Sequence, residues 1–322
     1  MVNVGVIGAG LMGSTHARLL ATAVSGASVV AVCDAVHEQA ARVAKELGIG
    51  TIHADALELI ANPAVDAVVI ASPAATHEPF ALACVEAGKP VLCEKPLATS
   101  AAAALRIVEA ERAVGRRLVT VGFMRRWDPG YVNLKARLDD GEIGAPLLVH
   151  CAHRNPSVHD FFDSAMIITD SAVHEIDVTR WLLGEEITRA TVLTPRATSR
   201  ARPGLRDPQL LLFETAGGRI VDVEAFVSAG YAYDIRCEVV GEDGTLELLA
   251  PAMVALRTNH AETLAIPSGF QQRFGMAYLH ELQAWTAGAG GAGAWDGYAA
   301  AAVCEAAVES LQSGRPADVR LA

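Results

Sequence analysis

No Cys-x-x-Cys pair occurs in this 322-residue sequence, basic residues are outnumbered, and every long apolar run is broken by a charge or a helix breaker. Each absence excludes something. The six cysteines, Cys33, Cys84, Cys93, Cys151, Cys237 and Cys304, lie mostly inside apolar runs. Without paired spacing they read as buried thiols in a reducing cytosol rather than a disulfide framework or a zinc site. A transmembrane span needs about 18 uninterrupted apolar residues, and none is expected here. The N-terminus is apolar but has no basic segment ahead of it, and glycines interrupt it by Gly10. No secretory signal is therefore expected, and a cytoplasmic location is. Lys plus Arg number 26 against 37 for Asp plus Glu, a formal net charge of −11. That balance disfavours nucleic acid or an anionic membrane as a partner, since both favour a basic face. The 52% hydrophobic content and the length point instead to a folded chain of two domains.

What is present falls into two patterns. Apolar segments at 2–7, 29–33, 65–71, 91–93 and 118–122 read as strands, and 12–23, 37–47, 77–87 and 101–114 as helices. Gly48 and Gly88 are natural helix stops. Uniformly apolar strands alternating with helices belong to a doubly wound parallel sheet covered on both faces. The pattern changes near residue 145. A strand at 147–153 and a helix at 172–183, stopped by Gly184, are followed by longer strands over 186–262. There Val221, Val223, Ala225 and Val227 alternate with Asp222 and Glu224, so one face is buried and the other is wet or part of an interface. Ala216-Gly217-Gly218 and Glu242-Asp243-Gly244 read as hairpin turns. The expectation is an open-faced antiparallel sheet in an α+β domain, closed by helices near 274–286 and 297–312, with 288–293 a surface loop.

Gly8-x-Gly10-x-x-Gly13 follows a strand and opens a helix. The spacing alone is weak in a chain with 28 glycines, but the context is that of a dinucleotide-binding Rossmann turn. The first glycine permits the tight turn, the second admits pyrophosphate close to the backbone, and the third lets helix pack on strand. The helix N-terminus then offers N–H groups to phosphate. Asp34 ends the second strand, where a carboxylate accepts both ribose hydroxyls of NAD and repels the 2′-phosphate of NADP; no Arg or Lys follows until Arg42. NAD is the expected cofactor. Its expected contacts are Gly8, Gly10, Leu11, Met12, Gly13, Asp34, Ser72, Pro73, His77, Glu94 and Lys95. The expected division is an NAD-binding domain over 1–122 and a substrate-binding and oligomerisation domain over 123–322, with the final helices able to pack on the first.

Cys93-Glu94-Lys95-Pro96-Leu97 follows a short strand, and Pro96 disfavours helix at Lys95. Strand C-terminal ends face the ligand crevice in such sheets, where a lysine can polarise a substrate hydroxyl. The alternative is a solvated lysine before a turn. Asp170, His174 and Asp177 have the spacing of one helical face. A carboxylate beside an imidazole fixes its tautomer and raises its basicity, as general-base chemistry requires. The alternative is an N-cap and an ordinary helix histidine. His150, His153, His159 and Asp163 could be read as metal ligands, but the spacing of His150 and His153 is odd for one strand face, and no metal is expected.

With these segments in view, the chain resembles the glucose–fructose oxidoreductase/inositol dehydrogenase/rhizopine catabolism family over essentially its whole length. Glu94-Lys95-Pro96 after a Rossmann start, then an aspartate–histidine pair, marks the broad family. The segments at 91–99 (VLCEKPLAT), 121–131 (VGFMRRWDPGY), 150–156 (HCAHRNP), 173–178 (VHEIDV), 233–244 (YDIRCEVVGEDG) and 294–298 (AWDGY) are similar to the inositol dehydrogenase branch. The resemblance implies Lys95, Asp170 and His174 as catalytic trio, with His174 the general base, Asp170 its partner and Lys95 the hydroxyl-polarising group. It implies polyol contacts from Lys95, Arg125, His153, Asn155, Asp170, His174, Asp177 and Tyr233, no metal, and a homo-oligomer, by resemblance a tetramer. The implied reaction is NAD-dependent oxidation of a cyclic polyol, myo-inositol to its 2-ketone. Trp127 stands where the family pattern has tyrosine, and 157–165 departs from it. Dehydrogenases of scyllo-inositol, an aldose or an amino-sugar share the fold and trio. A non-catalytic NAD-binding sensor would lack Lys95 or the Asp170–His174 pair, and both are present.

Overall fold

A computed structural model describes residues 1–249, 254–258 and 260–322. The chain divides into two compact units, Met1–Trp127 with Met276–Ala301, and Asp128–Gly275 with Ala302–Ala322. The first unit begins with β1 (Val2–Ile7), α1 (Leu11–Thr22), β2 (Ala27–Cys33), α2 (His37–Leu47), β3 (Thr51–His53) and α3 (Ala56–Ala61). It continues with β4 (Ala67–Ile70), α4 (His77–Glu86), β5 (Val91–Glu94), α5 (Ala101–Val114) and β6 (Val119–Gly122). The six strands are parallel in the order β3-β2-β1-β4-β5-β6, a doubly wound sheet whose order reverses between β1 and β4. Gly48 closes α2 in the left-handed conformation, as expected of a C-cap glycine. The expected strands and helices are present. β3 and α3 are additions, because three half-exposed residues and a six-residue helix are too short to show a period. All six cysteines are buried thiols, and burial pushes Cys33 up to about 11 and Cys84 to about 12, which keeps both protonated at neutral pH.

The second unit holds α6 (Pro129–Asp139), β7 (Pro146–Arg154), α7 (Val173–Leu183), β8 (Ile187–Leu193), β9 (Gln209–Thr215), β10 (Ile220–Phe226), β11 (Asp234–Gly241), β12 (Thr245–Glu247), β13 (Ala255–Thr258) and β14 (Ala261–Leu264). Helices α8 (Phe270–Thr286) and α9 (Ala294–Ser313) and the short β15 (Ala317–Asp318) complete the chain. Asp128 caps α6 by accepting the Tyr131 N–H and is paired with buried Arg273 at 2.7 Å, while Pro129 takes the first helical position. The large sheet runs β12-β11-β7-β10-β9-β8-β15.

The expected sheet over 186–262 is present and mostly antiparallel, with one parallel pairing that the sequence did not show. It is mixed, because β7 lies between β10 and β11 and pairs parallel with β10. The hairpin β13–β14 forms a separate two-stranded sheet, and residues 250–253 and 259 of that stretch lie outside the described residues. Both expected glycine turns do join antiparallel neighbours, β9 to β10 and β11 to β12. One face of the sheet buries Val149, Cys151, Val221, Val223, Cys237 and Val239. The other carries cross-strand charge pairs: His150 with Asp222, and Arg154 with Glu224 at 2.6 Å and Asp234 at 3.1 Å. The helix expected from 172 also differs. Residues Ile167–Ala172 form a π-helical turn that runs into α7, so Asp170 sits in the wider turn and the simple α-helical spacing to His174 does not hold.

In the first unit α1 is pinned from two sides. A Cβ on Gly13 would stand 1.7 Å from the Gly8 carbonyl oxygen, so the helix starts in contact with the strand-end turn. One turn on, wholly buried His16 places Nε2 2.7 Å from Glu94 Oε1, with its ring edge-on to Tyr278 at 5.8 Å. The other Glu94 oxygen accepts the Lys95 N–H at 3.2 Å. Burial pushes the Glu94 carboxyl up, but the His16 hydrogen bond, the Lys95 ammonium and the Lys95 N–H outweigh it and hold the group below its ordinary value.

His16→Leu keeps apolar bulk and removes the donor. Breaking a buried pair from one side is expected to destabilise by about 3–5 kcal/mol. Because the folded pKa of Glu94 lies below the unfolded one, its contribution is complete above about pH 4.3 and is lost as pH falls through the folded value. Urea unfolding of wild type and variant should therefore show the widest gap near neutral pH and a narrowing gap in acid. A gap independent of pH would assign the whole loss to packing.

Candidate active site

The first unit supplies a cradle at the C-terminal ends of β1, β4 and β5. Gly8 has φ +94°, and a Cβ there would lie 2.5 Å from the Ala71 carbonyl oxygen. Gly10, the N-cap of α1, has open space where its Cβ would be. Only backbone fits inside the turn, and among the described residues no heavy atom comes within 4 Å of where a Gly10 Cβ would stand, which is the shape a pyrophosphate needs. No acidic residue stands in the first turn of α1 to oppose an anion. Leu11 is exposed and Met12 half-buried beside this opening. Asp34 follows β2, one carboxylate oxygen accepting the Ala9 N–H at 2.6 Å and the other the Val36 N–H at 2.8 Å. The carboxylate thus stands against the glycine turn, where an adenosine ribose would meet it. The fold also brings Arg42 to this turn, within 3.5 Å of the Ala9 carbonyl oxygen, a proximity hidden by its eight-residue separation from Asp34.

The β4 and β5 ends are tied together by His77. Its Nδ1 lies 2.7 Å from the Pro96 carbonyl oxygen and its Nε2 2.8 Å from that of Ser72, whose hydroxyl meets Thr76 at 2.7 Å. Pro73 is exposed beside them. Lys95 is half-buried at the β5 end, and Glu94 is turned inward to His16. Gly297 explains part of the 294–298 segment: a Cβ there would lie 2.7 Å from Leu97, so this glycine lets α9 close on the turn carrying Lys95. Asp296 of the same segment pairs with Arg126 at 2.8 Å and accepts the Gly293 N–H. Arg125, in the 3-10 turn Met124–Trp127, is buried in this unit.

The second unit gathers a different set. His153, near the end of β7, stacks on His174 of α7, with ring centroids 6.4 Å apart and planes 30° apart. Tyr233 meets His153 edge-on at 5.8 Å, and Phe274 in turn meets Tyr233. Glu175 is fully buried, and its Oε2 lies 2.9 Å from His153 Nδ1. Asp177 is buried on the same helix, and Asp170 is half-buried in the π-helical turn. Asn155 follows β7. Its carbonyl oxygen accepts from Ala229, and its side-chain oxygen is buried without a donor among the described residues. His153, His174 and Tyr233 are therefore brought together.

The histidines weighed as a metal set are spread over separate tasks. His150 pairs with Asp222 on the outer sheet face, His159 stacks on Phe161, and Asp163 caps the chain entering the π-helical turn. Sequence reasoning passed over His16 and Glu175. The one available signal was a polar residue inside an otherwise buried helical run, and that does not name its partner.

Comparison with known proteins follows the same division. Residues 2–123 match the oxidoreductase family, NAD-binding Rossmann fold, and residues 131–247 match the GFO/IDH/MocA C-terminal domain. Inositol 2-dehydrogenase 1 of Saccharopolyspora erythraea is 54% identical over 327 residues, covering 100% of this chain and 97% of that protein. The inositol 2-dehydrogenase of Rhodococcus erythropolis is 48% identical, covering 98% and 94%. Among solved structures, the myo-inositol dehydrogenase of Lactobacillus casei in complex with NAD(H) and myo-inositol superimposes with a TM-score of 0.95 at 38% identity, covering 100% of this chain and 98% of that one. The chain belongs to the GFO/IDH/MocA family of oxidoreductases, and its first unit is that family's NAD-binding Rossmann fold.

Proposed function

We propose that this protein is an NAD-dependent inositol 2-dehydrogenase, oxidising one secondary alcohol of myo-inositol to the ketone. The observation that carries this reading is the 54% identity to an inositol 2-dehydrogenase along the whole chain, with Lys95, Asp170 and His174 all present. Residues 1–122 hold the cofactor and 123–322 the substrate, with the final helices contributing to the first domain. Gly8, Gly10, Leu11, Met12 and Gly13 receive the pyrophosphate, and Asp34 the adenosine ribose. Ser72, Pro73, His77, Glu94 and Lys95 form the nicotinamide side. The chemistry supplied by bound NAD is acceptance of hydride from the carbinol carbon.

The remaining work belongs to the chain. His174 accepts the hydroxyl proton as the C–H bond breaks and the C–O bond gains double-bond character. Asp170 orients its imidazole and stabilises the imidazolium that forms. Lys95 donates a hydrogen bond to the same oxygen and disperses its developing charge. His153, Asn155, Asp177, Tyr233 and Arg125 read the other hydroxyls, and the buried Asn155 side-chain oxygen is an acceptor suited to one of them. Each such contact penalises a substrate that leaves it unmatched.

His174→Ala should lower kcat by about two to four orders of magnitude, the usual size of a general-base contribution, with little change in NAD affinity. Lys95→Ala should also lower kcat and is distinguished from His174→Ala by a raised KM, since it contacts substrate in ground and transition states. Steady-state kinetics with myo-inositol and NAD titration of each variant decide this. Near-wild-type turnover by His174→Ala would remove it as the base and bring Asp177 forward.

Asp34 favours NAD over NADP by charge. Asp34→Ser combined with Ala35→Arg should shift kcat/KM toward NADP, with Arg42 adding a second cation near the same turn. A wild type that prefers NADP would overturn this assignment.

The protein is further proposed to act in the cytoplasm as a homotetramer assembled through the large sheet. Support for the location comes from six buried thiols and from the lack, among the described residues, of a helix long and apolar enough to cross a membrane. Support for assembly is the broad outer sheet face, which carries polar groups of both signs, His150 beside Asp222 and Arg154 beside Glu224. Light scattering at micromolar concentration should give a mass about four times the 33.7 kDa chain. A species of single-chain mass would contradict it.

A further inference from the structure

Glu175 is a carboxylate with no exposure to solvent, set among the apolar residues of α7. An acidic residue in the first turn of a helix ordinarily faces solvent and complements free N–H groups. That explanation does not apply here, because α7 continues directly from the π-helical turn, and the Val173 N–H already donates to the Ser171 carbonyl oxygen. Taking a carboxylate out of water is costly unless a donor meets it. His153 is such a donor, 2.9 Å away and itself almost wholly buried.

The direction of this bond has a chemical consequence. An ionised carboxylate only accepts, so with Glu175 charged the proton lies on His153 Nδ1. In a neutral ring Nε2 then carries a lone pair, and the edge bearing it becomes an acceptor for a hydroxyl. The ring has little freedom to turn away, since His174 stacks against it and Tyr233 abuts it edge-on. With the opposite tautomer the same edge would be a donor and would read a different feature of the substrate.

We propose that Glu175 is a positioning residue for substrate recognition, holding His153 as the Nδ1–H tautomer so that Nε2 accepts a hydrogen bond from one hydroxyl of the cyclic polyol. The inference rests on the functional reading above, in which His153 meets the polyol, and adds to it the residue that decides what His153 recognises. Glu175 touches no reacting atom. Its loss acts on KM for the polyol more than on proton transfer by His174.

The test combines a spectrum with a double-mutant cycle. Nitrogen-15 NMR of histidine-labelled protein without substrate, with the His153 signals identified by their loss in His153→Gln, should show Nδ1 protonated in the wild type. In Glu175→Gln the pattern should move toward Nε2–H, because an amide can donate to Nδ1 as well as accept from it. Kinetically, Glu175→Gln should raise KM for myo-inositol about ten- to a hundredfold, the range expected for one misdirected buried hydrogen bond, with a smaller change in kcat and an unaltered pH–kcat profile. His153→Gln introduced into Glu175→Gln should add little further loss, since the two residues act as one unit. An Nε2–H tautomer in the wild type would overturn the inference, and that spectrum needs no variant at Glu175 to fold. Multiplicative losses in the cycle, or a fall in kcat with KM unchanged, would also overturn it. A wild type inactive toward every inositol would instead overturn the functional reading and the recognition role together.

Discussion

The structure of the first unit depends on a steric constraint: no side chain fits at Gly8 or Gly13. With a Cβ at Gly13 only 1.7 Å from the Gly8 carbonyl oxygen, α1 must start against the end of β1. That contact leaves the side of the turn at Gly10 open. It also sets the phase of α1, so that His16, three residues after Gly13, faces inward toward Glu94 at the end of β5. The cofactor turn and the Lys95 segment are thereby linked through one buried hydrogen bond. His77 makes a second link by bridging the turns after β4 and β5.

In the second unit the corresponding constraint is electrostatic. α7 buries His174, Glu175 and Asp177 on a helix that also supplies Ile176 and Val178 to the core. Buried carboxylates and imidazoles persist only when each finds a partner. The partner of Glu175 comes from β7, a strand placed inside the sheet by its parallel pairing with β10. The mixed topology is therefore what brings His153 to α7, and an antiparallel meander over 186–262 would not have supplied that strand. The π-helical turn at Ile167–Ala172 has a related effect. It shifts Asp170 relative to His174 by widening the turn between them, as such insertions commonly do at working sites.

Several segments that marked the family turn out to be scaffolding. Asp128 and Pro129 start α6, with Asp128 also neutralising buried Arg273. Asp296 holds Arg126, and Gly297 makes room for Leu97 behind the lysine turn. Arg154 belongs to a charge network on the outer sheet face. Removing one partner of a buried pair such as Asp128 and Arg273 is costly, because the other charge is left unmatched away from water.

The sequence by itself determined the elements with a strong local pattern: apolar strands alternating with helices, the glycine turn, the helix stop at Gly48, and the hairpin glycines at 217–218 and 244. These depend on side-chain periodicity and backbone freedom, which act over a few residues and are readable in order along the chain. The places of Asp34 and Lys95 at strand ends and of His174 on a helix were legible for the same reason. Tertiary structure alone decided the parallel pairing of β7 with β10, the arrival of Arg42 beside the glycine turn, and the bonds from His16 to Glu94 and Glu175 to His153. Period-two alternation states which face of a strand is buried but not which strand lies beside it, and a buried polar residue reveals a need for a partner without naming one. Those choices are made when distant segments pack, by the cost of leaving a donor, an acceptor or a charge unmatched away from water.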